Sequence, residues 1–190
     1  MLNYLEYGDT ATNPDTPPLI IAHGLYGSGR NWGVIAKRLS DRRRVITPDM
    51  RNHGTSPQTP THNYFDLAAD LAELIEHIGG PVDLCGHSMG GKAAMALALT
   101  RPELLRRLII ADIAPVAYGH TQQMFIDAMR NVDLSRITRR SDAEEQLAAA
   151  GVNLVMNARG AEALEASAAR LRETYGVEVT TVAADVATDA

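Results

Sequence analysis

Gly86-His87-Ser88-Met89-Gly90, followed by Gly91, sets a serine between an apolar run, Val82 to Cys85, and a stretch of small residues that opens at Met89. The spacing is G-x-S-x-G in a strand-turn-helix frame, the frame this motif requires. A serine hydroxyl is a weak nucleophile and must be presented and activated. A sharp, strained turn at the end of a strand exposes it, and glycines on either side let strand and helix close up. The first N–H groups of the following helix have no partner inside it, and the helix dipole points its positive end the same way. That surrounding suits the oxyanion of acyl transfer. Ser88 is therefore the candidate nucleophile. Halide displacement of the dehalogenase kind needs a carboxylate at the elbow and is disfavoured.

Two further polar turns follow apolar runs. His23-Gly24-Leu25-Tyr26-Gly27 closes Leu19 to His23, and Asp49-Met50-Arg51-Asn52-His53-Gly54-Thr55-Ser56 follows Arg44 to Pro48. In the first, His23 reads as a loop-ordering residue rather than a base. The second reads as structural, with Arg51 or Asn52 as alternatives that line a site.

The elements that must position these turns alternate. Strands are expected at Leu19 to His23, Arg44 to Pro48, Val82 to Cys85 and Leu108 to Ala111. Helices are expected over Asn31 to Leu39, Tyr64 to Ile78 and Met89 to Thr100. In the second of these Leu67, Leu71, Leu74, Ile75 and Ile78 share one face, and Gly79-Gly80-Pro81 ends it. Such alternation implies an α/β fold, a parallel sheet with helices on both faces. Beyond Pro115, Phe125, Ala128, Met129 and Val132 fit a helical face, and Ser141 to Glu144 reads as a capping-box start. A strand over Val152 to Asn157, a helix over Ala161 to Tyr175 capped by Gly176, and a strand over Val177 to Ala183 complete the chain.

The whole has 190 residues, 45% of them hydrophobic, and a formal net charge of -5. That is enough for a real core, and it offers no basic stripe for nucleic acid. The run Arg42-Arg43-Arg44 is expected to be a solvated edge of the sheet. One cysteine, Cys85, excludes an intrachain disulfide. Met1 to Thr10 lacks the pattern of a signal peptide, and no apolar stretch reaches the roughly 18 residues of a membrane span. A soluble cytoplasmic protein without membrane, metal or cofactor is the expectation. Its oligomeric state is open.

HGLYGSGRNW, VITPDMRNHGTSP, LCGHSMGGKAAMALA and LIIADIAPVAY together resemble the small bacterial α/β-fold esterases over residues 1 to about 145. The resemblance implies hydrolysis of acyl esters or thioesters of small molecules. It implies that the backbone N–H groups of Leu25 and Met89 form the oxyanion hole. It also implies that the segment after Pro115 begins a cap over the acyl pocket. Asp112, after the strand that follows the elbow, stands where some members of the group carry the acid. The other reading is a strand-end aspartate that caps a turn. The base of such a triad is a histidine near the C-terminus. The last histidine here is His120, at the expected start of the cap, and His87 is expected to turn away from Ser88. The site thus reads as a nucleophile, an oxyanion hole and an acid without an evident base, and reduced activity is expected.

From about Ala143 the chain is richer in alanine and resembles the second βαβ step of a short-chain dehydrogenase. That resemblance implies NADP contacts at Arg159, Asp185 and Val186. The glycine-rich phosphate loop is missing, with Leu134 to Asp142 in its place, so no cofactor is expected to bind. The expected organisation is a hydrolase core with an incomplete cap over residues 1–147 and a Rossmann-like βαβ fragment over 148–190. The tail would dock beside Leu108 to Ala111 or leave an apolar sheet edge exposed. A serine hydrolase is the leading function, with a non-catalytic chimeric product or an NADP-binding oxidoreductase fragment as alternatives.

Overall fold

The computed structural model describes residues 1–8, 15–119 and 122–184. It divides into two compact units, Met1–Ala117 and Tyr118–Ala190.

The first unit is built on a five-stranded sheet in the order β1-β3-β2-β4-β5. Its strands are β1 Tyr4–Tyr7, β2 Leu19–Ala22, β3 Val45–Pro48, β4 Val82–His87 and β5 Leu105–Ala111. β1 runs antiparallel to β3, and all other pairings are parallel. Parallel strands need crossovers, and α1 Gly33–Leu39, α2 Tyr64–Ile78 and α3 Met89–Thr100 supply them.

Alternation along the central strands divides the core. Ile20, Ala22, Ile46 and Leu84 point to the face covered by α2 and α3, where Leu67, Leu71, Leu74, Ile75, Ala93 and Leu97 meet them. Leu19, Ile21, Val45 and Cys85 point to the other face, against Ala36 and Leu39 of α1. Both β2 and β3 are therefore buried throughout, which is why they read as unbroken apolar runs.

The helix ends are set locally. The Asn63 side chain accepts from Asp66 N–H at the start of α2, and Gly79 at φ 85 ends it.

Arg43 and Arg44 do not form the expected solvated edge. Arg43 turns in to Asp83 of β4, which is only 2% exposed, and Arg44 pairs with Glu6 at 2.7 Å. Arg106 binds Asp83 from the other side at 2.7 Å. A buried carboxylate requires such partners. Burial pushes the Asp83 carboxyl up, but the hydrogen bonds from Arg106 and then Arg43 outweigh it and hold it below the usual range. β5 closes the sheet order, and its Leu108 and Ile109 are exposed.

In the second unit the elements are α4 Gln123–Arg130, α5 Arg140–Ala149, β6 Leu154–Ala158, α6 Ala161–Tyr175 and β7 Val179–Ala183. β6 and β7 pair in parallel as a two-stranded sheet, with α6 as the crossover between them. Met156, Val177 and Val179 pack with Ala148, Leu164, Ala168 and Leu171 in a core of their own. α5 begins at Arg140, one residue before the expected capping serine. The N-cap is Arg139, and the carboxylate of Asp142 in the first turn reaches back to accept from the Thr138 and Arg139 N–H groups, each at 2.9 Å. Those two bonds, first Thr138 and then Arg139, lower its pKa to about 2.

Candidate active site

Three loops at the C-terminal ends of β2, β3 and β4 carry the candidate residues, and β5 contributes one more. Ser88 leaves β4 with φ 49 and ψ -113 and is the N-cap of α3. An L-residue reaches that region only under constraint. The constraint is visible: Ser88 N–H donates to Ala111 O of β5 at 3.0 Å, and Lys92 N–H returns to Ser88 O at 3.1 Å. Gly86 and Gly90 make the turn possible. A Cβ on Gly86 would run into the Gly90 carbonyl, and one on Gly90 would lie 2.7 Å from His23 O. The second of these contacts also seats the β2 loop against the elbow.

Leu25 and Met89 thereby share one neighbourhood. Met89 opens α3, where no preceding carbonyl of the helix can receive its N–H. The Leu25 N–H has no hydrogen-bond partner among the described residues. Gly24, just before it, faces both His87 and Ser88; a Cβ there would be 2.9 Å from His87 Nδ1 and 3.2 Å from Ser88 Cβ.

Beside this loop opens a cleft of about 400 Å³ lined by Leu25, Tyr26, Trp32, Ile35 and His87 among others. His87 lines it together with Trp32, the two rings edge to face at 5.9 Å. Asp112, immediately after β5, has φ 55, and its carboxylate is 89% exposed. Its Oδ2 lies 3.7 Å from His87 Nε2, beyond hydrogen-bond length. The Ser88 hydroxyl has no histidine partner among the described residues. His120, Asp185 and Val186 lie outside the described residues, and Arg159 is exposed just past β6.

Arg51 and Asn52 do not line the cleft. Arg51 binds Asp70 at 2.8 Å and Asp66 at 3.1 Å, while Asn52 Oδ1 accepts from Thr59 N–H at 2.6 Å. Asp49 ties the loops together by accepting from Gly29 N–H at 2.8 Å and Thr55 N–H at 2.8 Å. Burial raises the Asp49 pKa, and the bonds from Thr55 and Gly29 bring it down past its usual value. His23 is buried, with both ring nitrogens on backbone groups, and burial holds its pKa below the ordinary value.

A serine at a strained strand-to-helix turn beside a backbone-lined loop is a family signature, and the family model described as the alpha/beta hydrolase fold matches residues 17–171. The chain belongs to the α/β-hydrolase fold family. Among curated members it is similar to the sn-1-specific diacylglycerol lipase ABHD11 of Danio rerio, 46% identical over 143 residues, which cover 70% of this chain and 45% of that protein. It is also similar to Esterase YbfF of Escherichia coli (strain K12), 38% identical over 147 residues, 75% of this chain and 55% of that one. Among solved α/β-hydrolase structures, a marine microorganism esterase superposes with a TM-score of 0.68 at 40% identity, covering 77% of this chain and 57% of its own. The chain spans about half the length of the curated relatives it matches. No helix of the described residues is long and apolar enough to cross a membrane.

Proposed function

We propose that this α/β-hydrolase chain carries serine-esterase chemistry on small acyl esters or thioesters. The observation that carries the reading is Ser88 at φ 49, ψ -113, a strained nucleophile position at the open N-terminus of α3. Ser88 Oγ attacks the acyl carbonyl carbon, and the Leu25 and Met89 N–H groups receive the oxyanion. Collapse of the tetrahedral adduct expels the alcohol or thiol, and water then releases the acid and regenerates Ser88. The apolar walls of the cleft, Leu25, Trp32 and Ile35, suit an acyl chain. The names of the relatives, esterase and diacylglycerol lipase, agree with this substrate class.

Proton transfer is the weak step. Because no histidine bonds the Ser88 hydroxyl among the described residues, turnover well below that of a complete triad is expected. The oxyanion hole and binding alone leave an acceleration of roughly 10³ over water. Asp112 is the proposed acid on its place directly after β5, the strand that follows the elbow; its 3.7 Å approach to His87 is not a hydrogen bond. We assign residues 1–147 to the hydrolase core and 148–190 to a Rossmann-like βαβ segment, of which the part up to residue 171 also falls within the family match.

The test is hydrolysis of p-nitrophenyl butyrate by the 190-residue chain beside its Ser88→Ala variant, with a fluorophosphonate probe in parallel. Turnover and labelling that vanish in the variant support the assignment. Equal rates in two folded proteins would remove Ser88 from the chemistry.

A further inference from the structure

The loops after β2 and β3 hold one another through two histidines, and the arrangement is reciprocal. His23 belongs to the first loop, and its Nε2 takes the Met50 N–H of the second at 2.9 Å. His53 belongs to the second loop, and its Nε2 takes the Tyr26 N–H of the first at 3.1 Å. The remaining nitrogen of each ring faces a carbonyl of its own loop: His23 Nδ1 lies 2.7 Å from Gly24 O, and His53 Nδ1 lies 2.9 Å from Arg51 O.

These partners fix the protonation state. A backbone N–H only donates and a carbonyl only accepts. Each Nε2 must therefore be bare and each Nδ1 must carry the hydrogen, so both rings are neutral Nδ1–H tautomers. In that state all four ring nitrogens are satisfied. A second proton would place an N–H against an N–H and break a bond between the loops. Neither ring can serve as a general base without the same loss.

What His53 holds matters for the site. Tyr26 follows Leu25 directly and sits at φ 62, a conformation that a bulky residue keeps only when its surroundings impose it. The Tyr26 ring is more than half exposed, so packing does little of the imposing. The Gly27 N–H bond to Gly24 O at 3.0 Å closes a turn over Leu25 and Tyr26, and the hydrogen bond from the Tyr26 N–H to His53 is the restraint that reaches this turn from the other loop.

We propose that His53 is a positioning residue for the oxyanion hole: as a neutral Nδ1–H imidazole it fixes the Tyr26 amide and thereby the aim of the Leu25 N–H, and protonation of the histidine pair releases that loop. The proposal rests on the reading of Leu25 as an oxyanion donor.

The surroundings of His23 favour its neutral state. His23 and His53 meet edge to face at 5.1 Å, so a proton on one opposes a proton on the other. His62, from the segment before α2, stacks obliquely on His53 at 5.7 Å. The Arg51 guanidinium opposes added positive charge on His62, and His87 opposes it on His23. Asp49 is the one carboxylate that favours a charged His23, and its oxygens are already engaged by Gly29 and Thr55.

The test uses the full chain labelled with ¹⁵N. Long-range ¹H–¹⁵N spectra report the tautomer of each histidine, and the Tyr26 amide is followed from pH 8 to pH 5 beside the rate of fluorophosphonate labelling. At pH 8, His23 and His53 should show the Nδ1–H pattern. On acidification the Tyr26 amide should shift in step with His53 while labelling slows. His53→Ala should slow labelling at pH 8 by about 10- to 100-fold, the scale of a displaced catalytic group. His53→Gln can still accept from Tyr26 N–H but cannot titrate; it should hold labelling within about threefold of the parent and flatten the acid limb, as expected for a retained oxyanion donor. An Nε2–H tautomer at His53, or a Tyr26 amide and labelling rate indifferent to His53→Ala, would overturn the proposal. If the wild-type chain shows the tautomers and the Tyr26 coupling but no labelling at any pH, the nucleophile reading falls while the loop-fixing role of His53 stands.

Discussion

Replacement of Ser88 by glycine should make the protein more stable than replacement by alanine. Ser88 is held at φ 49, ψ -113, outside the basins open to residues with a Cβ. Strain of this kind costs on the order of 1–3 kcal/mol. Alanine keeps the Cβ and the strain, whereas glycine removes both. Glycine also loosens the unfolded chain, which offsets about 0.4–1 kcal/mol of the gain. Ser88→Gly should therefore exceed Ser88→Ala by roughly 0.5–2 kcal/mol, a rise in Tm of roughly 2–8 °C for a domain of this size.

The measurement is thermal and urea unfolding of both variants followed by tryptophan fluorescence. The chain has one tryptophan, Trp32, and it stands beside the cleft in the first unit, so the signal reports that unit. A Ser88→Gly protein no more stable than Ser88→Ala would mean that the turn is not strained. The backbone argument for Ser88 as nucleophile would then lose its main support.

Asp83→Ala should destabilise the first unit by about 3 kcal/mol in urea, because it takes the carboxylate from the mostly buried Arg43 guanidinium; Arg43 keeps its bond to Pro17 O and Arg106 reaches solvent, which holds the loss at the low end. Stability should fall on mild acidification. Burial first, with neighbouring positive charge, lowers the pKa of His23 and His62 below 6.5, so the unfolded chain takes up protons first as pH drops beneath that value. A stability–pH curve flat from pH 7 to pH 5 would contradict the burial of these rings. The depressed carboxyls of Asp49 and Asp83 add a second loss only as pH falls below 3.8. Ile109→Lys on β5 should reduce aggregation, read by light scattering, because a lysine on an exposed edge opposes strand addition.

Much of this fold was legible because its signals are local. The bounds of α2, α3 and α6 follow from Asn63, Gly79, Pro102 and Gly176, residues that start or stop a helix locally, Asn63 through its side chain and the others through their backbone. β2 and β3 were visible as unbroken apolar runs because both faces are covered. β1 was not visible, since Tyr4–Tyr7 is a half-exposed strand whose existence depends on pairing with β3, forty residues on. β5 begins earlier than its apolar run suggests. Arg106 looks like the end of a strand, yet it is inside one because Asp83 on β4 requires a cation there. Arg43 misled for the same reason. In the site, the G-x-S-x-G frame sufficed to place Ser88 at the turn between β4 and α3. His53 reads as an ordinary polar turn residue because its partner, the Tyr26 amide, is 27 positions away and only the packed sheet brings the loops together.

These contrasts separate the site into two kinds of machinery. The serine conformation and the proposed oxyanion donors are backbone properties, set by a strained turn, a helix N-terminus and two loops that brace each other through His23 and His53. Proton transfer is a side-chain property and needs an imidazole with a free nitrogen at Ser88 Oγ. The same hydrogen bonds that preorganise the oxyanion loops occupy both nitrogens of His23 and of His53. In this half of the site, precision at the oxyanion is incompatible with basicity. With Ser88 as the proposed nucleophile, its base has to be a histidine whose ring nitrogens no loop depends on, unlike His23 and His53.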